Sequence, residues 1–138
     1  MKKMKKILIL FLTIGILTSC SSDDDNDPAE DNVTTAKITL NNSSGEPQSG
    51  IVVYAYNEST WSVIGDDPLF ADFEIASGND GIATFTNLTT DTTFNELSNF
   101  TQTYRFSVHY TLNGTDKIKV KAISFGLGDD KTDTIILD

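Results

Sequence analysis

Cysteine occurs once in these 138 residues, at Cys20, and histidine once, at His109. One cysteine forms no internal disulfide, so the fold must hold by its apolar core. A lone histidine and a lone cysteine also exclude zinc sites built from those ligands. Positive charge is scarce. Lys2, Lys3, Lys5 and Lys6 precede Cys20, so from Cys20 onward 6 of the 10 basic residues face all 20 acidic ones, a formal charge of −14 where the whole chain carries −10. That balance repels nucleic acid and anionic lipid headgroups, so no nucleic-acid partner is expected. A long apolar run is missing too: residues 7–17 form the one sustained stretch, shorter than the roughly 20 residues a membrane-spanning helix needs.

What is present divides the chain at Cys20. A basic start followed by residues 7–17 has the build of a secretory signal peptide. Leu17-Thr18-Ser19-Cys20 resembles the lipobox of bacterial lipoproteins, which implies cleavage before Cys20 and its acylation. One acyl chain binds a bilayer marginally, whereas two or more hold it stably. Ser21, Ser22, Asp23, Asp24 and Asp25 follow with no apolar residue among them, so an extended, solvated tether is expected. The same five residues resemble the acidic export signal of surface-exposed lipoproteins of the Bacteroidota, which implies an outer-membrane, cell-surface location. The expected organisation is therefore a signal peptide over 1–19, a disordered lipidated tether over 20–35 and one domain over 36–138.

From Ala36 on, short alternating runs are broken by Gly, Asn, Asp and Ser, the pattern of an all-β domain of about seven strands. Ala36 to Leu40 alternates with Lys37 and Thr39 outward. Ile51 to Tyr56 is apolar on both faces, which suits a strand central to its sheet. Residues 57–80 read as a long excursion with a strand at each end, in which Leu69 to Ile75 fits either a strand or one helical turn. Ile82 to Thr86 reads as a strand, and residues 89–101 as a polar loop pinned by Phe94, Leu97 and Phe100. In the next strand Tyr104, Phe106, Val108, Tyr110 and Leu112 point one way, and Arg105, Ser107, His109 and Thr111 the other. After Asn113-Gly114, alternation predicts Ile118, Val120 and Ala122 inward. That favours a three- or five-residue loop pairing Tyr110 with Ile118 over a two-residue turn, and it requires a bulge near Ile123. Thr132 to Leu137 is the last expected strand.

The succession of Ile38-Thr39-Leu40, residues 45–54, residues 79–88 and residues 104–108 resembles the prealbumin-like or carboxypeptidase-regulatory-like β-sandwich, with Cna-B-type domains close by. It implies an Ig-like sandwich and, resting on turn and core residues, no particular function. Lys37 sits on the outward parity of its strand, so the Lys-to-Asn isopeptide bond of some Cna-B domains is not carried over.

No catalytic constellation, metal site or cofactor is expected. His109 lies mid-strand without a Gly-rich elbow, and the acid pairs fall in turns. Two surfaces are candidates for binding. Arg105, His109, Lys117, Lys119 and Lys121 share one outward face under the register above, either as a basic patch or as lysines that guard an edge. Trp61 with Tyr54, Tyr56 and Phe70 forms either a sugar-binding platform or core. Thr92, in Asp91-Thr92-Thr93, resembles a short O-glycosylation motif of exported Bacteroidota proteins. The expected function is a non-enzymatic, membrane-anchored lipoprotein whose sandwich binds a partner protein or a glycan. The alternatives are a spacer or assembly subunit acting through a strand edge, and an accessory to carbohydrate-active enzymes.

Overall fold

The computed structural model describes residues 33–88 and 101–138. Cys20, the acidic run, Thr92 and the proposed pins Phe94, Leu97 and Phe100 lie outside the described residues. The chain forms an all-β sandwich of seven described strands: β1 (Thr35–Asn42), β2 (Val52–Asn57), β3 (Phe73–Ala76), β4 (Ile82–Phe85), β5 (Gln102–Leu112), β6 (Thr115–Phe125) and β7 (Asp130–Leu137). One sheet has the order β4-β1-β7, the other β3-β2-β5-β6. β1 runs antiparallel to β4 and parallel to β7, whereas every pairing in the four-stranded sheet is antiparallel.

Alternation builds the core. Ala36, Ile38 and Leu40 of β1 are buried while Lys37 and Thr39 are not, as the sequence predicts. They meet Val53 and Ala55 of β2, Tyr104, Phe106 and Val108 of β5, and Phe85, Phe125, Ile135 and Leu137. Phe106 is the hub, its ring 5.2 Å from Phe85 and 6.2 Å from Phe125 at steep angles that suit edge-to-face packing. β2 lies between β3 and β5, the central place in the sheet that its sequence predicts.

The β5–β6 hairpin differs from the expectation. Asn113 and Gly114 form a two-residue turn, with Leu112 opposite Thr115, Tyr110 opposite Lys117 and Val108 opposite Lys119. Both turn residues have positive φ, 52° and 76°, the conformation whose twist matches a hairpin. Turn chemistry therefore overrides the apolar alternation of β6. Lys117, Lys119 and Lys121 share the parity of Val108 and Phe106, while Ile118 and Val120 face outward, 54% and 44% exposed. The register runs unbroken from Leu112–Thr115 to Gln102–Phe125, so there is no bulge near Ile123. On this parity Ile123 and Phe125 are inward without one.

The lysines are tolerated because β6 is an edge strand and β7 edges the other sheet. Lys121 Nζ reaches Asp133 at 3.0 Å, Lys119 pairs with Asp138, and Lys117 Nζ and Tyr110 Oη both donate to the Asp138 carbonyl at 2.8 Å. A row of ionic contacts thus closes the seam between the sheets.

The excursion after β2 begins with a helix, α1 (Glu58–Ile64), where a strand was expected. Asn57 caps it by accepting from the Thr60 amide at 2.8 Å, and Asp72 accepts from the Asn57 amide and the Thr60 hydroxyl. Leu69 to Ile75 divides between a 3₁₀ turn at Pro68–Phe70 and β3, so both readings of it hold in part.

Candidate functional site

The outer face of the four-stranded sheet carries the chemistry. Tyr54 and Tyr56 of β2 stand beside Ser107 and Arg105 of β5, their register partners. His109 continues the β5 row, opposite Ile118. Helix α1 packs over β2 and β5. It sets Trp61 edge-on to Tyr56, ring centres 5.5 Å apart, and beneath the Arg105 guanidinium at 5.2 Å. Glu58, in the first turn of α1, pairs with Arg105, so this ion pair and the cation–π contact tie the helix to β5.

The link between α1 and the 3₁₀ turn brings Asp66 down onto β5. Its Oδ2 lies 3.0 Å from His109 Nε2, without regular hydrogen-bond geometry. Tyr54 meets the His109 ring edge-on at 5.8 Å. Beneath this rim Tyr56 and Ser107 are 0% exposed, yet neither belongs to the core between the sheets. Among the described residues, the buried side-chain atoms without a hydrogen-bond partner are Tyr56 Oη, Ser107 Oγ, Asp66 Oδ1 and His109 Nε2. All four belong to this one patch. Burial, with Asp66 and then Asp67 as further causes, pushes the Tyr56 hydroxyl far above the ordinary tyrosine range, so it stays protonated and able to donate.

Serine, histidine and aspartate side by side invite comparison with a hydrolase relay. Ser107 Oγ, however, makes no hydrogen bond to His109, and that bond is what would activate a nucleophile.

Of the residues singled out in the sequence, Arg105, His109 and Trp61 come together here, with Tyr54 and Tyr56. Phe70 stands 55% exposed on the 3₁₀ turn. Lys117, Lys119 and Lys121 do not join them; the single basic face is corrected by the β5–β6 register, which sends these lysines to the seam. Each of the 6 basic residues after Cys20 touches an oxygen. Lys37 meets Asp130, Arg105 meets Glu58, Lys119 and Lys121 meet Asp138 and Asp133, Lys131 meets Asp129, and Lys117 meets the Asp138 carbonyl. Asp66, Ser107 and Glu58 were missed as site residues. Ser107 carried a faint signal, a small polar side chain between Arg105 and His109 in a row beside two tyrosines. Asp66 carried none, because its loop gives no register.

No protein-family profile matches the chain, and no curated protein matches it by sequence. Among solved structures it is similar to the Bacillus anthracis TIE protein, with a TM-score of 0.52 and 18% identity over 76% of this chain. It spans 16% of that protein's length. It is also similar to a "putative carbohydrate binding protein" from Pseudomonas aeruginosa, with a TM-score of 0.44 and 12% identity, covering 78% of this chain and 88% of that one. The first likeness shows a shared β-rich fold alone, and the second is too distant to carry an argument.

Proposed function

We propose that this chain is a non-enzymatic, lipid-anchored lipoprotein of the outer membrane, presented at the cell surface, whose prealbumin-like sandwich binds a partner protein or a glycan. The binding surface is the outer face of β2 and β5 with α1. One observation carries this reading: four buried polar atoms without a hydrogen-bond partner gather there beside Trp61 and Tyr54, two on the rim at Asp66 and His109 and two beneath it at Tyr56 and Ser107. Native proteins pair nearly all their buried polar groups, so such a concentration marks a place where stability yields to function. The anchor rests on Leu17-Thr18-Ser19-Cys20, and outward presentation on the acids that follow.

Two labelling experiments test the anchor and its direction. Cells fed labelled palmitate should label the wild type and not Cys20→Ala; label retained by Cys20→Ala contradicts the anchor. Protease added to intact cells should digest the wild type and spare a variant with Asp23, Asp24 and Asp25 replaced by Ala. Equal digestion of both contradicts the export role of the acids.

A second reading, assembly through a strand edge, is favoured by β6. It has 11 residues and, among the described residues, pairs with β5 alone, leaving a backbone edge of the kind that accepts another strand. Cross-linking between copies through a cysteine placed at Val120 would support it, and a purely monomeric product would contradict it.

A further inference from the structure

We propose that the patch formed by Tyr56, Ser107, Asp66 and His109 is a subsite for a neutral, polyhydroxylated ligand, one sugar unit of an uncharged glycan. This rests on the outer-face reading above and chooses between its two ligand classes. The choice follows from which groups are already matched. Arg105 is held by Glu58, and His109 Nε2, though without a hydrogen-bond partner, already faces the Asp66 carboxylate at 3.0 Å, which leaves no open place for an anion. Asp72 is engaged with the Asn57 amide and the Thr60 hydroxyl, and Asp67 with the Leu69 amide, so these acids are not free for a cation. What remains unmatched is two neutral hydroxyls at full burial, Tyr56 Oη and Ser107 Oγ, beside Asp66 Oδ1 and His109 Nε2 on the rim. A hydroxyl both donates and accepts, and a carboxylate accepts only. Adjacent hydroxyls on a sugar ring satisfy that set, because each can donate to one of these oxygens and accept from another.

The surroundings fit the rest of such a ligand. Tyr54 and Trp61 flank the patch, both half-buried, and aromatic walls with a few fixed polar groups are the usual make-up of small-ligand sites. An acidic sugar would meet a chain of charge −14 after Cys20, which disfavours it. His109 and Asp66 form the rim, with 33% and 18% of their side chains exposed, over hydroxyls that are fully buried. The ligand therefore enters by parting Asp66 from His109, and it takes over the contact that Asp66 gives up.

The test uses the full lipidated chain in detergent, a panel of neutral and acidic oligosaccharides on an array, and calorimetry with the best neutral binder. Tyr56→Phe and Ser107→Ala each remove one hydroxyl and keep the shape; Lys119→Glu, at the seam, is the control. The expected result is binding of neutral glycans by the wild type and Lys119→Glu, weakened at least about tenfold in each hydroxyl variant, as the loss of a matched buried group implies. The ligand-free melting temperature of those two variants should be unchanged or higher, since each deletes an unpaired buried group. Undiminished glycan binding by both variants overturns the subsite and leaves outer-face binding standing. Binding of acidic glycans alone overturns the neutral assignment. A wild type that binds no glycan overturns the sugar class, and Trp61→Ala then decides the face: lost retention on envelope protein keeps it, unchanged retention removes it. Ordered waters pairing Tyr56 Oη and Ser107 Oγ, together with lower melting temperatures in both variants, also overturn the subsite, because the groups would then be structural.

Discussion

Phe106 and Tyr56 sit on neighbouring strands, both fully buried, on opposite faces of one sheet, and they do different work. Phe106 fills the core against Phe85 and Phe125. Phe106→Ala should cost about 3–5 kcal/mol in denaturant unfolding, the usual loss for a buried phenylalanine; a loss under about 1 kcal/mol would contradict its place as hub. Tyr56 is held neutral by burial and by Asp66. A group whose folded pKa is raised gives stability that is intact below its unfolded value, about 10 for tyrosine, and lost as pH rises through the folded value. In an ultraviolet titration, therefore, Tyr56 should ionise only as the fold opens at high pH, and Tyr56→Phe should shift that alkaline transition upward. Two glycines separate strain from crowding. Gly81 and Gly114 both have φ of 76°, but a methyl group on Gly81 would meet the Leu40 carbonyl oxygen and the Pro47 Cβ at 2.8 Å, whereas one on Gly114 meets nothing within 4 Å. Gly114→Ala should cost about 1–2 kcal/mol from its backbone alone, and Gly81→Ala clearly more. Outward parity for Arg105 and His109 was legible in the chain, since β5 alternates without a break. The burial of Ser107 was not, because it depends on a helix, Glu58–Ile64, laid over the strand from a distant part of the sequence.

At the scale of elements, the β6–β7 seam is the part most exposed to solution conditions. Hydrogen bonding to Lys119 lowers the Asp138 carboxyl below its usual range, and Lys121 does the same for Asp133. Asp129 is lowered first by the Gly126 amide and then by Lys131. A lowered carboxylate contributes above the unfolded value, about 3.9, and its contribution disappears as pH falls through the folded value. Amide protection in β6 and β7, with exchange taken relative to the free peptide at each pH, should therefore fall below about pH 4, ahead of that in β1 and β2, and 1 M salt should narrow the difference because these pairs are exposed. Uniform loss of protection across both sheets would contradict a weak seam. Lys121→Met should remove the Asp133 share of the effect. The same seam shows why β6 misleads when read alone. Lysine and isoleucine alternate there, and either row can face inward until the acids of β7 are known to stand opposite. Asn113-Gly114 carried the deciding information, and a two-residue turn with φ positive at both positions outweighs the cost of exposing Ile118 and Val120. β1, β2 and β5 were legible because each lies inside its sheet, where alternation and burial agree.

Across the whole molecule, on the function proposed above, the lipobox-like stretch and the acidic run place the sandwich, and the sandwich presents the binding face. The charge of −14 after Cys20 disfavours anionic partners, and each of the 6 basic residues after Cys20 touches an oxygen, so none of these described cations is left as a free patch. On the function proposed above, recognition falls to the aromatic-walled face of β2 and β5. Fold class and strand number were legible because they follow from period and turns; the site was not, because a helix, a loop and two strands converge on it from distant parts of the chain. The two faces of the four-stranded sheet give the most direct test. Binding of the intact lipidated protein to its own cell envelope is compared between Trp61→Ala, on the outer face, and Lys119→Glu, at the seam. The account predicts that Trp61→Ala loses binding at least about tenfold while Lys119→Glu keeps it. Loss with Lys119→Glu and retention with Trp61→Ala would contradict it.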